Sequence, residues 1–87
     1  MLDAMAPATQ ARVASLARAI LDQHGAKRGL EPDDRLVDAG LTSVDMVNLM
    51  LSLETEFDVM IPPGDITPQN FRSIASITAM MERVLVG

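Results

Sequence analysis

Apolar residues return at steps of three and four in three separate stretches of this 87-residue chain. Val13, Leu16, Ala17, Ile20 and Leu21 form one stripe, and Met46, Val47, Leu49, Met50, Leu53 and Phe57 a second. Ile74, Ile77, Met80, Met81, Val84 and Leu85 form the third. On helices such spacing gathers each set on one face, whereas on strands it would scatter them over both. The composition points the same way: there are two Phe, no Tyr and no Trp, while sandwiches and barrels lean on aromatic and β-branched side chains. The length suits one small domain, which buries roughly 60–65% of the surface its unfolded chain exposes.

Breakers and caps divide the stripes. Thr9 is placed to cap a first helix over about 9–24, with His24 in its last turn and Gly25 as a left-handed stop. From Gly25 to Leu41 the chain reads as a long irregular loop punctuated by Gly29, Pro32 and Gly40. Leu30, Leu36, Val37 and Leu41 are suited to peg it down, which argues for an ordered, functional loop. Thr42 or Ser43 caps the second helix, and Thr42-x-x-Asp45 has the form of a capping box. Pro62-Pro63-Gly64 closes that helical region, Ile66–Asn70 is long enough for one short turn of helix, and Ser73 caps the last helix. Residues 1–8 read as a flexible tail and 9–87 as a single domain. The expected architecture is all-α: a small four-helix bundle with a long first loop and a short third helix. Phe57 and Phe71 are expected to anchor its core.

Several chemistries are excluded at this level. Without cysteine there is no disulfide, no thiolate nucleophile and no ordinary structural zinc site. One histidine does not supply a His-rich metal site. Twelve acids against seven bases give a net charge of −5, which disfavours nucleic acid as a partner. The opening residues lack the basic end and apolar run of a signal peptide, and no stretch approaches the about 20 apolar residues of a membrane span. A cytoplasmic location is the expectation, with a length suited to a stand-alone monomer.

The charge is concentrated. Residues 31–65 hold nine acids and a single base, Arg35, a net −8, while the remainder carries +3. A field of that kind steers basic partners to one face. Within that segment stands Asp38-Ala39-Gly40-Leu41-Thr42-Ser43-Val44-Asp45-Met46-Val47, running into Leu53-Glu54-Thr55-Glu56-Phe57. Gly40 permits a sharp turn that sets Ser43 at the exposed first turn of a helix, where free amides and the helix dipole seat an anion. As a nucleophile Ser43 would need a base, and the sole histidine lies at the far end of another helix; no G-x-S-x-G elbow is present. From the residues alone Ser43 is either a capping serine or the bearer of a phosphate group. Asp38 and Asp45 serve either solvation and capping or the docking of a basic partner. The chain also holds seven methionines. Met46, Met50, Met60, Met80 and Met81 either fill the core or line an adaptable cleft.

Residues 38–57 resemble the signature of acyl carrier proteins, Asp-x-Gly-Leu/Ala-x-Ser-Leu/Val-x-x-Val followed by an apolar helix ending Leu-Glu-x-x-Phe. The resemblance extends over about 9–86 and includes the family's helix order and acidity. It implies that Ser43 carries 4′-phosphopantetheine derived from coenzyme A, whose thiol holds an acyl or aminoacyl cargo as a thioester. It implies no catalytic residues, and partners comprising a phosphopantetheinyl transferase, a loading ligase and downstream acyl-transfer enzymes. Docking would involve Asp38, Leu41, Thr42, Val44, Asp45 and Met46. Thr42-Ser43-Val44 replaces the Asp-Ser-Leu of fatty-acid carriers, Asn48 stands where they often have Glu, and Asn70-Phe71-Arg72-Ser73-Ile74 resembles specialised carriers, including those charged with amino acids. A specialised carrier is therefore expected, one alternative being a carrier for amino acids loaded by a dedicated ligase. A second alternative is an unmodified acidic helical interaction module.

Overall fold

The computed structural model describes residues 8–23 and 29–86. The expected tail and the His24–Gly25 stop, apart from Ala8, lie outside the described residues. Four α-helices form: α1 (Thr9–Gln23), α2 (Leu36–Ala39), α3 (Ser43–Phe57) and α4 (Ile74–Val86). No strand occurs among the described residues. Helix α1 packs against both α3 and α4.

Helices α1, α3 and α4 each begin for a local reason. The Ala8 carbonyl accepts the first bond of α1 from the Arg12 amide at 3.2 Å, so Thr9 is the first helical residue and not its cap. Thr42 caps α3, with its hydroxyl accepting from the Asp45 amide and its own amide donating to the Asp45 carboxylate at 2.8 Å. The expected capping box is formed, and Thr42 is its cap. Ser73 and Ser76 make an analogous exchange ahead of α4, at 2.9 and 3.1 Å. Helix α3 ends on Asp58 in the left-handed conformation, φ 54°, one that Asp tolerates better than most residues. The Glu54 carboxylate then accepts from the Ile61 amide at 2.9 Å and fastens the outgoing chain.

The three apolar stripes meet in one core, in which Val13, Ala17, Leu36, Leu49, Leu53, Ile74, Ile77, Met80 and Met81 are completely buried. Phe57 and Phe71 are buried at its edge as expected. Met80 and Met81 are therefore core and line no cleft, while Met60 is almost fully exposed. Val37 and Val47 also depart from expectation, each more than half exposed. The Thr78 hydroxyl, though buried, donates to the Ile74 carbonyl at 2.7 Å and is satisfied.

From Gly29 onward the first loop is more ordered than its glycines and proline suggest. Leu30, Leu36 and Leu41 are buried pegs, and between the last two runs the one-turn helix α2. Two backbone bonds tie the loop to the approach and start of α4: Leu36 donates to the Arg72 carbonyl and Ala75 to the Pro32 carbonyl, each at 2.9 Å. The Arg18 guanidinium adds a third tie, to the Leu30 carbonyl at 2.9 Å. The short helical turn expected at 66–70 is instead a 3₁₀ turn at Pro63–Asp65, started by proline at its first position, and one turn closed from Phe71 to the Thr67 carbonyl.

Candidate functional site

Gly40 ends α2 with φ 114° and ψ 4°, a conformation that disfavours any residue bearing a Cβ. Its amide still bonds back to Val37, and Leu41 bonds back to Leu36, so the reversal is tight and its inner side buries Leu41. The chain leaves this turn extended through Thr42, at φ −90° and ψ 175°, and enters α3 at Ser43.

Ser43 is thus the first helical residue and is exposed. The capping work is done by its neighbours Thr42 and Asp45. The Ser43 hydroxyl makes no hydrogen bond to other described residues and is open to chemistry. Because intrahelical bonds begin with the Met46 amide on the Thr42 carbonyl, the amides of Ser43 and Val44 have no intrahelical acceptor. A dianionic or monoanionic group on Ser43 would meet those amides and the positive end of the helix. An attached phosphodiester fits this arrangement.

Ser43 lines an open groove of about 690 Å³. One wall is a single stripe of α3, Ser43, Met46, Val47 and Met50, at the i, i+3, i+4 and i+7 positions. The other wall comes from the segment before α4, with Ile66, Pro68 and Phe71. The lining is mainly apolar, and its charged members are Arg35 and Arg72. Met46 and Met50 do line this cleft, unlike the other methionines considered for one.

The residues expected to dock partners divide sharply. Val44 is 68% exposed and Asp38 is exposed, but Leu41 is 3% and Asp45 6% exposed. Leu41 and Asp45 therefore have almost no surface to offer: the first is a peg beneath the turn, and the second is half of the capping box. Two acids near the end of α3 are engaged within the fold: Glu54 holds the Ile61 amide and Glu56 pairs with Arg12 at 3.0 Å. What α3 presents outward is uncharged over most of its length, with Val44, Val47 and Leu51 at least half exposed beside Asn48 and Thr55. Leu51 lies off the buried stripe, so helical spacing does not single it out. Arg35 had a signal, being the one base among nine acids. Among the described residues no group of His, Cys, Asp and Glu is placed to hold a metal ion, and no helix is long and apolar enough to cross a membrane.

The chain also has relatives. The family model described as the phosphopantetheine attachment site matches residues 11–81. Aminoacyl carrier protein 1 of Bradyrhizobium diazoefficiens is 47% identical over 70 residues, which cover 80% of this chain and 78% of that protein. Among solved structures, a chain in the Bradyrhizobium japonicum glycine:[carrier protein] ligase complexed with cognate carrier protein and an analogue of glycyl adenylate matches with TM-score 0.73 and 46% identity. The match covers 83% of this chain and 94% of that one. A chain in the same ligase complexed with glycylated carrier protein matches with TM-score 0.71 and 48% identity, covering 79% of this chain and 93% of that one.

Proposed function

The chain belongs to the phosphopantetheine attachment family, the acyl and aminoacyl carriers, and from that premise we propose that Ser43 is its attachment point and that its cargo is an amino acid. The observation that carries the assignment is the position of Ser43: exposed, first in α3, with a hydroxyl that the capping box leaves unused. The bound arm supplies a thiol that holds the cargo as a thioester. The chain's own residues prepare the site. Gly40 and Leu41 set the turn, Thr42 and Asp45 fix where α3 starts, and the amides of Ser43 and Val44 favour the negative charge on the non-bridging oxygens of a phosphodiester at Ser43.

Catalysis of loading and transfer belongs to the partners, in this reading a phosphopantetheinyl transferase, an amino acid–carrier protein ligase and acyl-transfer enzymes of the cytoplasm. The relatives' association with a glycine ligase supports an aminoacyl cargo, and a small one. These enzymes would reach Ser43 across Val44, Val47 and Leu51, with Asp38 and Thr42 at the edge of that surface and Met46 on the groove wall. Leu41 and Asp45 act beneath it as supports.

Intact mass after incubation with coenzyme A and a broad-specificity phosphopantetheinyl transferase tests the attachment. One added phosphopantetheine is expected on the unaltered chain and none on Ser43→Ala. A gain in the variant would remove Ser43 from the role, and no gain in either, under conditions that modify a control carrier, would favour an unmodified interaction module. A subsequent incubation with ATP, amino acids and the ligase tests the cargo: a mass gain of one aminoacyl group, lost on treatment with hydroxylamine, is expected.

A further inference from the structure

We propose that Arg35 and Arg72 form an anion seat in the groove and that it receives the phosphodiester on Ser43, so that these two side chains aim the arm. This rests on the attachment reading above and adds to it two positioning residues. The first observation is that both guanidinium-bearing residues line the same groove as Ser43, with no carboxylate among its described lining residues. The second is the backbone: Arg35 immediately precedes Leu36, whose amide donates to the carbonyl of Arg72 at 2.9 Å. Two residues far apart in sequence are thereby held side by side, and both carry positive charge.

That juxtaposition calls for an anion. In a chain of net charge −5, Arg35 is the single base between residues 31 and 65. The other described cations are engaged elsewhere: Arg12 with Glu56, Arg18 with the Leu30 carbonyl, and Arg83 with Asn70. Arg35 has only Asp38, at 4.0 Å with both side chains more than half exposed, a pair of little strength. The Arg72 side chain has no hydrogen bond or ion pair among the described residues. Like charges brought together in this way repel until an anion joins them, and guanidinium groups match the oxygens of a phosphate in geometry as well as charge. A phosphodiester tethered at Ser43 is confined to the groove that both arginines line, so its effective concentration there is high.

The test uses the full chain in apo and holo forms, with Arg35→Gln, Arg72→Gln, the double variant, Arg72→Lys, and Arg83→Gln as control. The ³¹P resonance of the single phosphodiester is recorded between about 0.01 and 1 M salt, over which the Debye length falls from about 30 to 3 Å. In the unaltered holo protein the resonance should move with salt. It should be displaced in each Gln variant, salt-insensitive in the double variant, and near its original position in Arg72→Lys and Arg83→Gln. Melting temperatures add a sign. Either Gln change should leave the apo form unchanged or raise its melting point by relieving repulsion, and should lower that of the holo form. A ³¹P resonance and an apo–holo difference that are the same in the double variant and the control would overturn the seat alone. Absence of any phosphorus signal after the transferase reaction would overturn the attachment reading, and the seat with it.

Discussion

The guanidinium of Arg12 lies 4.1 Å from the ring centroid of Phe57, so a side chain of α1 caps the buried aromatic at the end of α3. The same group donates to the Glu56 carboxylate at 3.0 Å and to the Glu56 carbonyl at 2.9 Å. The ion pair is partly exposed and contributes little on its own, whereas contact over the ring and the bond to the carbonyl persist without it. Arg12→Ala should destabilise the domain by about 1–2 kcal/mol in denaturant melts, and Glu56→Gln by no more than about 0.5 kcal/mol. Equal losses in the two variants would mean that the carboxylate dominates.

The division of labour at the start of α3 predicts opposite outcomes for neighbouring residues. Thr42→Ala removes an N-cap and should lower stability by about 1 kcal/mol. Ser43→Ala removes an unbonded hydroxyl from the first helical position, where alanine is the better helix former, and should be within about 0.5 kcal/mol of the original. The Ser43 variant should therefore melt normally while accepting no phosphopantetheine. A large loss of stability in Ser43→Ala would show that its hydroxyl supports the fold.

Gly40 offers a test of backbone strain separated from crowding. A Cβ there would meet only Leu21 Cδ1, at an ordinary 3.8 Å, so space is available. The penalty of Gly40→Ala comes from φ 114° and should reach about 1–3 kcal/mol. Because the turn places Ser43, the rate of modification by the transferase should fall as well, even at temperatures where the variant is fully folded.

Docking over α3 should be governed by its neutral face. Val47→Asp and Leu51→Asp each put a charge into that surface and should reduce kcat/KM for ligase-catalysed loading by about tenfold, equivalent to about 1.4 kcal/mol. Asp38→Asn should have a smaller effect, visible at low salt and suppressed at high salt. A steep salt dependence of the unaltered chain, with Val47 and Leu51 tolerant of charge, would transfer recognition to the acidic loop.

Much of this site was legible in the sequence because its devices are local. Thr42 and Asp45 lie three residues apart and meet within one turn, Gly40 has a conformational job that glycine does well, and Ser73 precedes an apolar stripe. The errors arise where tertiary packing decides. Val47 fits the helical spacing of a buried stripe, but α3 turns inward the edge formed by Asp45, Leu49, Leu53 and Phe57. Asp45 belongs to an acidic segment yet is buried, its carboxylate accepting from the Thr42 amide and its own amide donating to the Thr42 hydroxyl. Glu54 reaches an amide seven residues onward, and Arg72 joins Leu36 across 36 residues of chain, contacts that no short-range pattern encodes.

The unbonded hydroxyl of Ser43 also bears on the protein's life history. Since the turn and the cap are complete without it, a chain modified at Ser43 as proposed would gain its arm, and lose it by hydrolysis, with the bundle standing throughout. Apo and holo protein would then be two chemical states of one conformation, interchangeable without a cycle of unfolding. A pool of such chains could be held in reserve and brought into use at the pace of the modifying enzyme alone.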